Sequence, residues 1–106
     1  MNPSFRLHPG AARDIAELWQ YIAHDNLSAA GRVREEILEA IRSLTKFPFQ
    51  GHVRRDLTSL PIRFSRVRDY LIAYAPNEKP LWVLAVVHGR RDPRVIAAIL
   101  RSRDHR

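Results

Sequence analysis

The chain has 106 residues, 45% of them hydrophobic, and carries a formal net charge of +7 with no cysteine. That length fits one domain with a core of its own, and the composition excludes wholesale disorder, disulfides and thiolate chemistry. No apolar run approaches the roughly 20 residues of a membrane span, and Asn2 to Pro9 has no signal-peptide core, so a cytoplasmic location is expected.

In chain order, Ser4-Phe5-Arg6-Leu7-His8 alternates, with Phe5 and Leu7 on one face. It predicts a short first strand ended by Pro9-Gly10. A helix then starts near Pro9 or Ala11 and runs to about His24, with Ala11, Ile15, Leu18 or Trp19, and Ile22 as its apolar stripe. Arg13, Asp14, Glu17 and Gln20 fall on the other, water-facing side. Asp25-Asn26-Leu27-Ser28 reads as a tight connection with Asn26 or Ser28 as the next N-cap. The second helix is expected from about Ala29 to Phe47, burying Ala30, Val33, Ile37, Ile41 and Leu44 and exposing Arg32, Glu35, Glu36, Glu39 and Arg42. Gly31 costs that helix some stability unless it lets the first helix approach closely. Pro48 ends it. Two such helices form an antiparallel hairpin whose joint apolar face needs a sheet to cover it.

Phe47-Pro48-Phe49-Gln50-Gly51-His52 reads as a loop, with Phe47 and Phe49 expected to pin it to the core, or Phe49 left exposed. Ile62 to Arg68 alternates, but Ile62, Phe64, Arg66 and Arg68 share one parity, which predicts a bulge or turn near Arg66. Tyr70, Ile72 and Tyr74 share one face of the next strand, with Leu71 and Ala73 on the other. In the last strand Trp82, Leu84 and Val86 alternate with Val83, Ala85 and Val87. Its nearly unbroken apolar character is that of a strand covered on both faces. These three strands predict an antiparallel meander. Pro93 opens a short helix with Val95, Ile96, Ile99 and Leu100 as its stripe, and residues 101–106 read as a frayed basic tail. The class is therefore α+β: an N-terminal strand, an antiparallel helical hairpin packed on an antiparallel sheet, and a short C-terminal helix, all in one domain over residues 1–106.

Charge is uneven along the chain. Residues 1–53 carry six Arg/Lys and six Asp/Glu, whereas residues 54–106 carry twelve and five, and sixteen of the eighteen basic residues are arginine. Arginine pairs bidentately with carboxylate or phosphate, so the second half suits either nucleic acid or an acidic protein. His8, His24, His52, His88 and His105 are scattered and show no metal-ligand spacing. There is no Gly-rich phosphate loop and no nucleophile elbow, and neither metal nor other cofactor is expected. What remains is arginine, histidine and tyrosine. One use of that set is RNA cleavage, with His88 as proton carrier and Arg66, Arg68, Arg90 and Arg91 as a phosphate clamp. The competing reading makes His88 a structural residue that closes a strand against backbone. Tyr70, Tyr74 and Trp82 read as structural, and Asp69 and Asp92 as carboxylates that orient neighbouring arginines.

Phe5-x-Leu7-x-Pro9-x-Ala11-x-x-Asp14-Ile15, Tyr21-Ile22, Arg55-Asp56-Leu57, Tyr70-Leu71-Ile72-x-Tyr74 and His88-Gly89-Arg90-Arg91-Asp92 occur in that order over one small domain. Together they resemble the ParE/RelE superfamily of bacterial toxins, and the ParE-like, plasmid-stabilisation branch in particular. The resemblance runs from Phe5 to about Leu100. It implies the fold already reached from pattern and a cytoplasmic toxin neutralised by an antitoxin encoded beside it, in a heterotetramer or larger assembly. RelE-like members cleave mRNA in the ribosome with basic residues and a tyrosine or histidine near the C-terminus. ParE-like members with a known target poison DNA gyrase and so arrest growth.

The last tyrosine here is Tyr74, and the only lysines are Lys46 and Lys79, so the RelE-type set is incomplete. Gyrase inhibition is accordingly the first expectation. A ribosome-dependent endoribonuclease built on His88, and a non-toxic protein- or nucleic-acid-binding module, are the alternatives. Arg54, Arg55, Arg63, Arg90, Arg91 and Arg94 are the residues expected to bind target or antitoxin.

Overall fold

A computed structural model describes residues 4–104, so residues 1–3 and the end of the expected tail, 105–106, lie outside the described part. The elements in order are β1 (Phe5–Leu7), α1 (Pro9–Asp25), α2 (Leu27–Lys46), β2 (Arg63–Val67), β3 (Tyr70–Ala75), β4 (Leu81–His88) and α3 (Pro93–Arg103). The sheet order is β1-β4-β3-β2. The meander β2-β3-β4 is antiparallel, as its short connections require, while β1 joins the edge of β4 in parallel.

The helical hairpin forms for local reasons. His8 caps α1 by accepting the Gly10 N–H on its side chain at 2.8 Å, and Pro9 occupies a first-turn position where its missing N–H costs nothing. Asn26 is the whole joint between the helices. Its N–H donates to the Ile22 carbonyl at 2.9 Å, ending α1, while its Oδ1 accepts the Ala29 N–H at 3.0 Å, starting α2. The connection is thus tighter than the sequence suggests, and α2 begins at Leu27. Gly31 allows no close approach: it is exposed, and a Cβ placed there would meet nothing within 4 Å.

Two cores form, one on each face of the sheet. Ala11, Ile15 and Leu18 of α1 and Val33, Ile37, Ile41 and Leu44 of α2 pack on Ile72, Tyr74, Val83 and Val86. On the opposite face Ile96 and Leu100 of α3, with Leu57 and Ile62, cover Phe64, Leu71, Ala73, Leu84, Ala85 and Val87. Fully burying one such aliphatic side chain stabilises the fold by roughly 1.5–3 kcal/mol, so both cores contribute substantially.

The strict alternation expected of β4 is broken. Ala73 faces Ala85 but Tyr74 faces Val83, so Leu84 is an extra residue in β4. Leu84 and Ala85 both enter the α3 side, whereas Val83 and Val86 both enter the helical-hairpin side. A bulge of this kind leaves ladder groups unpaired. The Leu84 carbonyl and Val86 N–H next to it are bonded by two side chains that the sequence pattern places elsewhere. Asp14 is not on a water-facing side: its Oδ2 accepts the Val86 N–H at 3.0 Å. Arg103 is not part of a frayed tail: α3 continues through it, and its Nη1 donates to the Leu84 carbonyl at 3.1 Å and to Asp14 Oδ2 at 2.7 Å. Only 15% of the Arg103 side chain and 16% of the Asp14 side chain remain accessible. Gly10 makes room for this pair, since a Cβ there would lie 2.5 Å from the guanidinium carbon.

Two loop expectations also change. Phe47 and Phe49 do not pin their loop, because they are 63% and 58% exposed. The buried Tyr74 hydroxyl does so instead, accepting the Gly51 N–H at 2.9 Å and donating to the Pro48 carbonyl at 2.6 Å. The irregularity expected near Arg66 comes two residues later: β2 runs unbroken to Val67, and the turn uses Arg68 and Asp69, with Arg68 in the left-handed region at φ 54°.

Candidate functional site

Pairing of Val67 with Tyr70 and of Tyr70 with His88 brings the end of β2, the turn and the end of β4 to one end of the sheet. The Gly89 N–H donates to the Asp69 carbonyl at 2.7 Å and stitches turn to strand end. His88, Arg66, Arg68 and Arg90 are therefore neighbours in the fold, but their side chains are committed to different partners. His88 is exposed, and its Nδ1 accepts the Arg90 N–H at 3.1 Å. The imidazole ring lies edge-on to Tyr70 at 5.5 Å. Arg68 forks onto Glu36 of α2 with two bonds of 2.8 Å. Arg66 has the parity of Phe64, on the α3 face; its Nε donates to the Arg68 carbonyl at 2.9 Å, and a long contact of 3.9 Å reaches Asp69. Among the described residues Arg90 and Arg91 have no carboxylate partner. Asp92 caps α3 by accepting the Arg94 N–H at 2.9 Å and also holds the Arg94 guanidinium, which keeps its carboxyl below the usual range.

Beside this end lies an open cleft of about 530 Å³ between α1 and β4, lined by Glu17, Tyr21, Asp69, Tyr70, His88 and Arg91 among others. Tyr70 has its phenol pushed up by burial first, then by Asp69 and Tyr21.

Arg54, Arg55 and Arg63 sit at the opposite end of the sheet, because Arg63 opens β2 where β3 ends, facing Tyr74. Arg54 is engaged by Asp56 in two bonds of 3.0 and 2.8 Å. Arg63 donates to the Phe49 and Gly51 carbonyls and lies over the Phe49 ring at 5.2 Å. Arg55 is exposed and, among the described residues, has no hydrogen-bond or ion-pair partner. The six arginines expected to bind partners thus form two groups rather than one patch. Trp82 is half-buried beneath Arg6 at 5.5 Å and beside His8 at 5.8 Å, and its indole N–H has no partner among the described residues. Among those residues no group of three or more His, Asp or Glu side chains is placed to hold a metal ion.

A family model described as the ParE toxin of the type II toxin-antitoxin system parDE matches residues 5–93. The chain belongs to the ParE toxin family. No curated protein matches it. The matched segment starts with β1 and ends at the first residue of α3, so it contains the helical hairpin, the whole sheet and His88-Gly89-Arg90-Arg91-Asp92. The resemblance drawn from those ordered motifs therefore holds, and ParE membership brings with it a cognate antitoxin as partner.

Sequence reasoning missed Glu36 as the partner of Arg68. The two are 32 positions apart, and an i, i+4 reading of α2 treats Glu36 only as a surface charge. Its carboxyl is held below its ordinary value of 4.5, chiefly by the Arg68 hydrogen bonds. A depressed carboxyl contributes stability that is present above its unfolded pKa and lost as pH falls through the folded one. Glu36→Gln should therefore flatten the acid side of the melting-temperature profile slightly and leave neutral pH nearly unchanged, since exposed pairs are weak. An unchanged acid limb would remove Glu36 as a contributor.

Proposed function

We propose that this chain is the toxin of a type II toxin–antitoxin pair, acting in the cytoplasm to arrest growth by inhibiting DNA gyrase. Family membership supports the toxin; the engagement of Arg66, Arg68 and His88 with internal partners favours gyrase over RNA. A phosphate clamp needs donors preorganised around one point. Arg68 is instead held by Glu36 on α2, and Arg66 bonds the turn carbonyl. His88 already accepts a backbone N–H at Nδ1, so that nitrogen is taken up within its own turn.

The antitoxin has a suitable seat in the groove of about 550 Å³ on the helical hairpin, lined by Leu7, Ala12, Ile15, Ala16, Trp19 and Leu38 with Arg34 at its rim. An apolar trough of this kind takes the apolar face of an amphipathic helix, and Arg34 meets an acidic residue beside it.

The deciding experiment places purified chain in a gyrase supercoiling assay and, in parallel, in a translating-ribosome mRNA cleavage assay. Loss of supercoiling with intact mRNA is the expected result. Cut mRNA with normal supercoiling would make the chain a RelE-type nuclease, and no growth arrest on induction would leave a binding module.

A further inference from the structure

Where α2 ends, three large apolar side chains reach solvent within seven residues: Phe47, Phe49 and Val53 are 63%, 58% and 49% exposed. An apolar cluster of this kind marks a contact surface more often than a scatter of single exposed residues does. The backbone that presents it is held firmly. The Tyr74 hydroxyl ties down Gly51 and Pro48, and His52 exchanges two bonds of 2.8 Å with Phe64 of β2. Arg63 stacks on Phe49 and grips the loop carbonyls from below. Rigid presentation lowers the entropy lost on binding. Beside the aromatics lies a depression of about 300 Å³ lined by Phe49, Val53, Arg55, Leu60, Pro61 and Ile62, roomy enough for one inserted side chain. Its charged lining is positive: Arg55 and Arg63 border it, and among the described residues neither has an acidic partner.

We infer that the loop from Phe47 to Ile62 grips the toxin's protein target, through an acidic surface that inserts an apolar side chain into this depression. The inference rests on the reading of the chain as a toxin with a protein target. Strand addition is not the mode, because His52 already occupies the outer edge of β2 at Phe64. Nucleic acid is a poorer occupant. Its affinity comes mostly from free cations on phosphates, and here the Arg54 and Arg63 donors are used internally, leaving Lys46 and Arg55. The antitoxin is better matched to the longer trough on the hairpin.

Phe49→Ala and Arg55→Glu test this in the full chain. Each should weaken binding to purified gyrase by about tenfold or more and relieve growth arrest, as loss of an interface anchor does. Each should still co-purify with the antitoxin and melt at the wild-type temperature. Variants that arrest growth as fully as wild type would overturn the inference, as would loss of antitoxin binding with gyrase binding intact. Should Phe49→Ala lower the melting temperature by releasing Arg63, Arg55→Glu alone decides, since that side chain is exposed and unpartnered. Wild-type chain run alongside separates the two levels: if it neither arrests growth nor binds gyrase, the toxin reading fails and takes this surface's role with it.

Discussion

Arg103→Ala is expected to lower unfolding free energy by about 2–3 kcal/mol, read as a fall in denaturant midpoint at unchanged slope. The substitution removes both bonds to Asp14 and the bond to the Leu84 carbonyl. Asp14 then remains as a mostly buried carboxylate whose only described donor is the Val86 N–H. The value lies below that of a fully buried pair because about 15% of each side chain still meets water. Damage should spread to α3, since Arg103 is the polar anchor of a helix otherwise held by Ile96, Leu100 and Ile99. Gly10→Ala should reproduce part of the loss by pushing the guanidinium aside. Replacing both partners, Asp14→Leu with Arg103→Met, should recover much of it, because the charge is no longer stranded. A midpoint unmoved by Arg103→Ala would show that the bulge is held by packing alone.

The second large effect concerns Gly51. A Cβ there would stand 2.5 Å from the Tyr74 hydroxyl and 2.8 Å from the Phe64 carbonyl oxygen, and the latter is backbone that cannot swing away. Gly51→Ala should therefore cost about 2–4 kcal/mol, combining overpacking with a broken buried hydrogen bond. Tyr74→Phe removes only the hydroxyl and leaves the Gly51 N–H and Pro48 carbonyl without it, for a loss of about 1–3 kcal/mol. The two changes act on one contact, so the double variant should fall short of their sum. Full additivity in thermal or denaturant unfolding would contradict a shared mechanism.

What could be read from sequence follows from how local each cause is. The α2 stripe of Ala30, Val33, Ile37, Ile41 and Leu44 is buried residue for residue, because helical period alone determines which side chains share a face. Asn26 was legible as a cap for the same reason. The bulge at Leu84 was not, since Leu81 to Val87 is apolar throughout and offers no contrast from which to detect a slip in alternation. The Asp14–Arg103 pair spans 89 positions, and only the packed fold puts the two together. At the site, neighbourhood was readable and commitment was not: His88, Arg66, Arg68 and Arg90 gather at one sheet end because a two-residue turn joins β2 to β3. Whether Arg68 points at a ligand or at Glu36 depends on where α2 crosses the sheet. Hydrophobicity alone places Phe47 in the core, although Tyr74 already does the tethering.

Among the described residues β1 pairs with β4 only at Leu81, Trp82 and Val83, so the strand's outer side from Leu84 to His88 has no neighbouring strand among them. Such an open margin invites pairing with another molecule, and proteins commonly block it with an inward-pointing charge. Asp14 and Arg103 occupy the Val86 N–H and Leu84 carbonyl on that margin. Besides holding α3, the ion pair therefore leaves those two backbone groups with no free hydrogen bond to offer another strand.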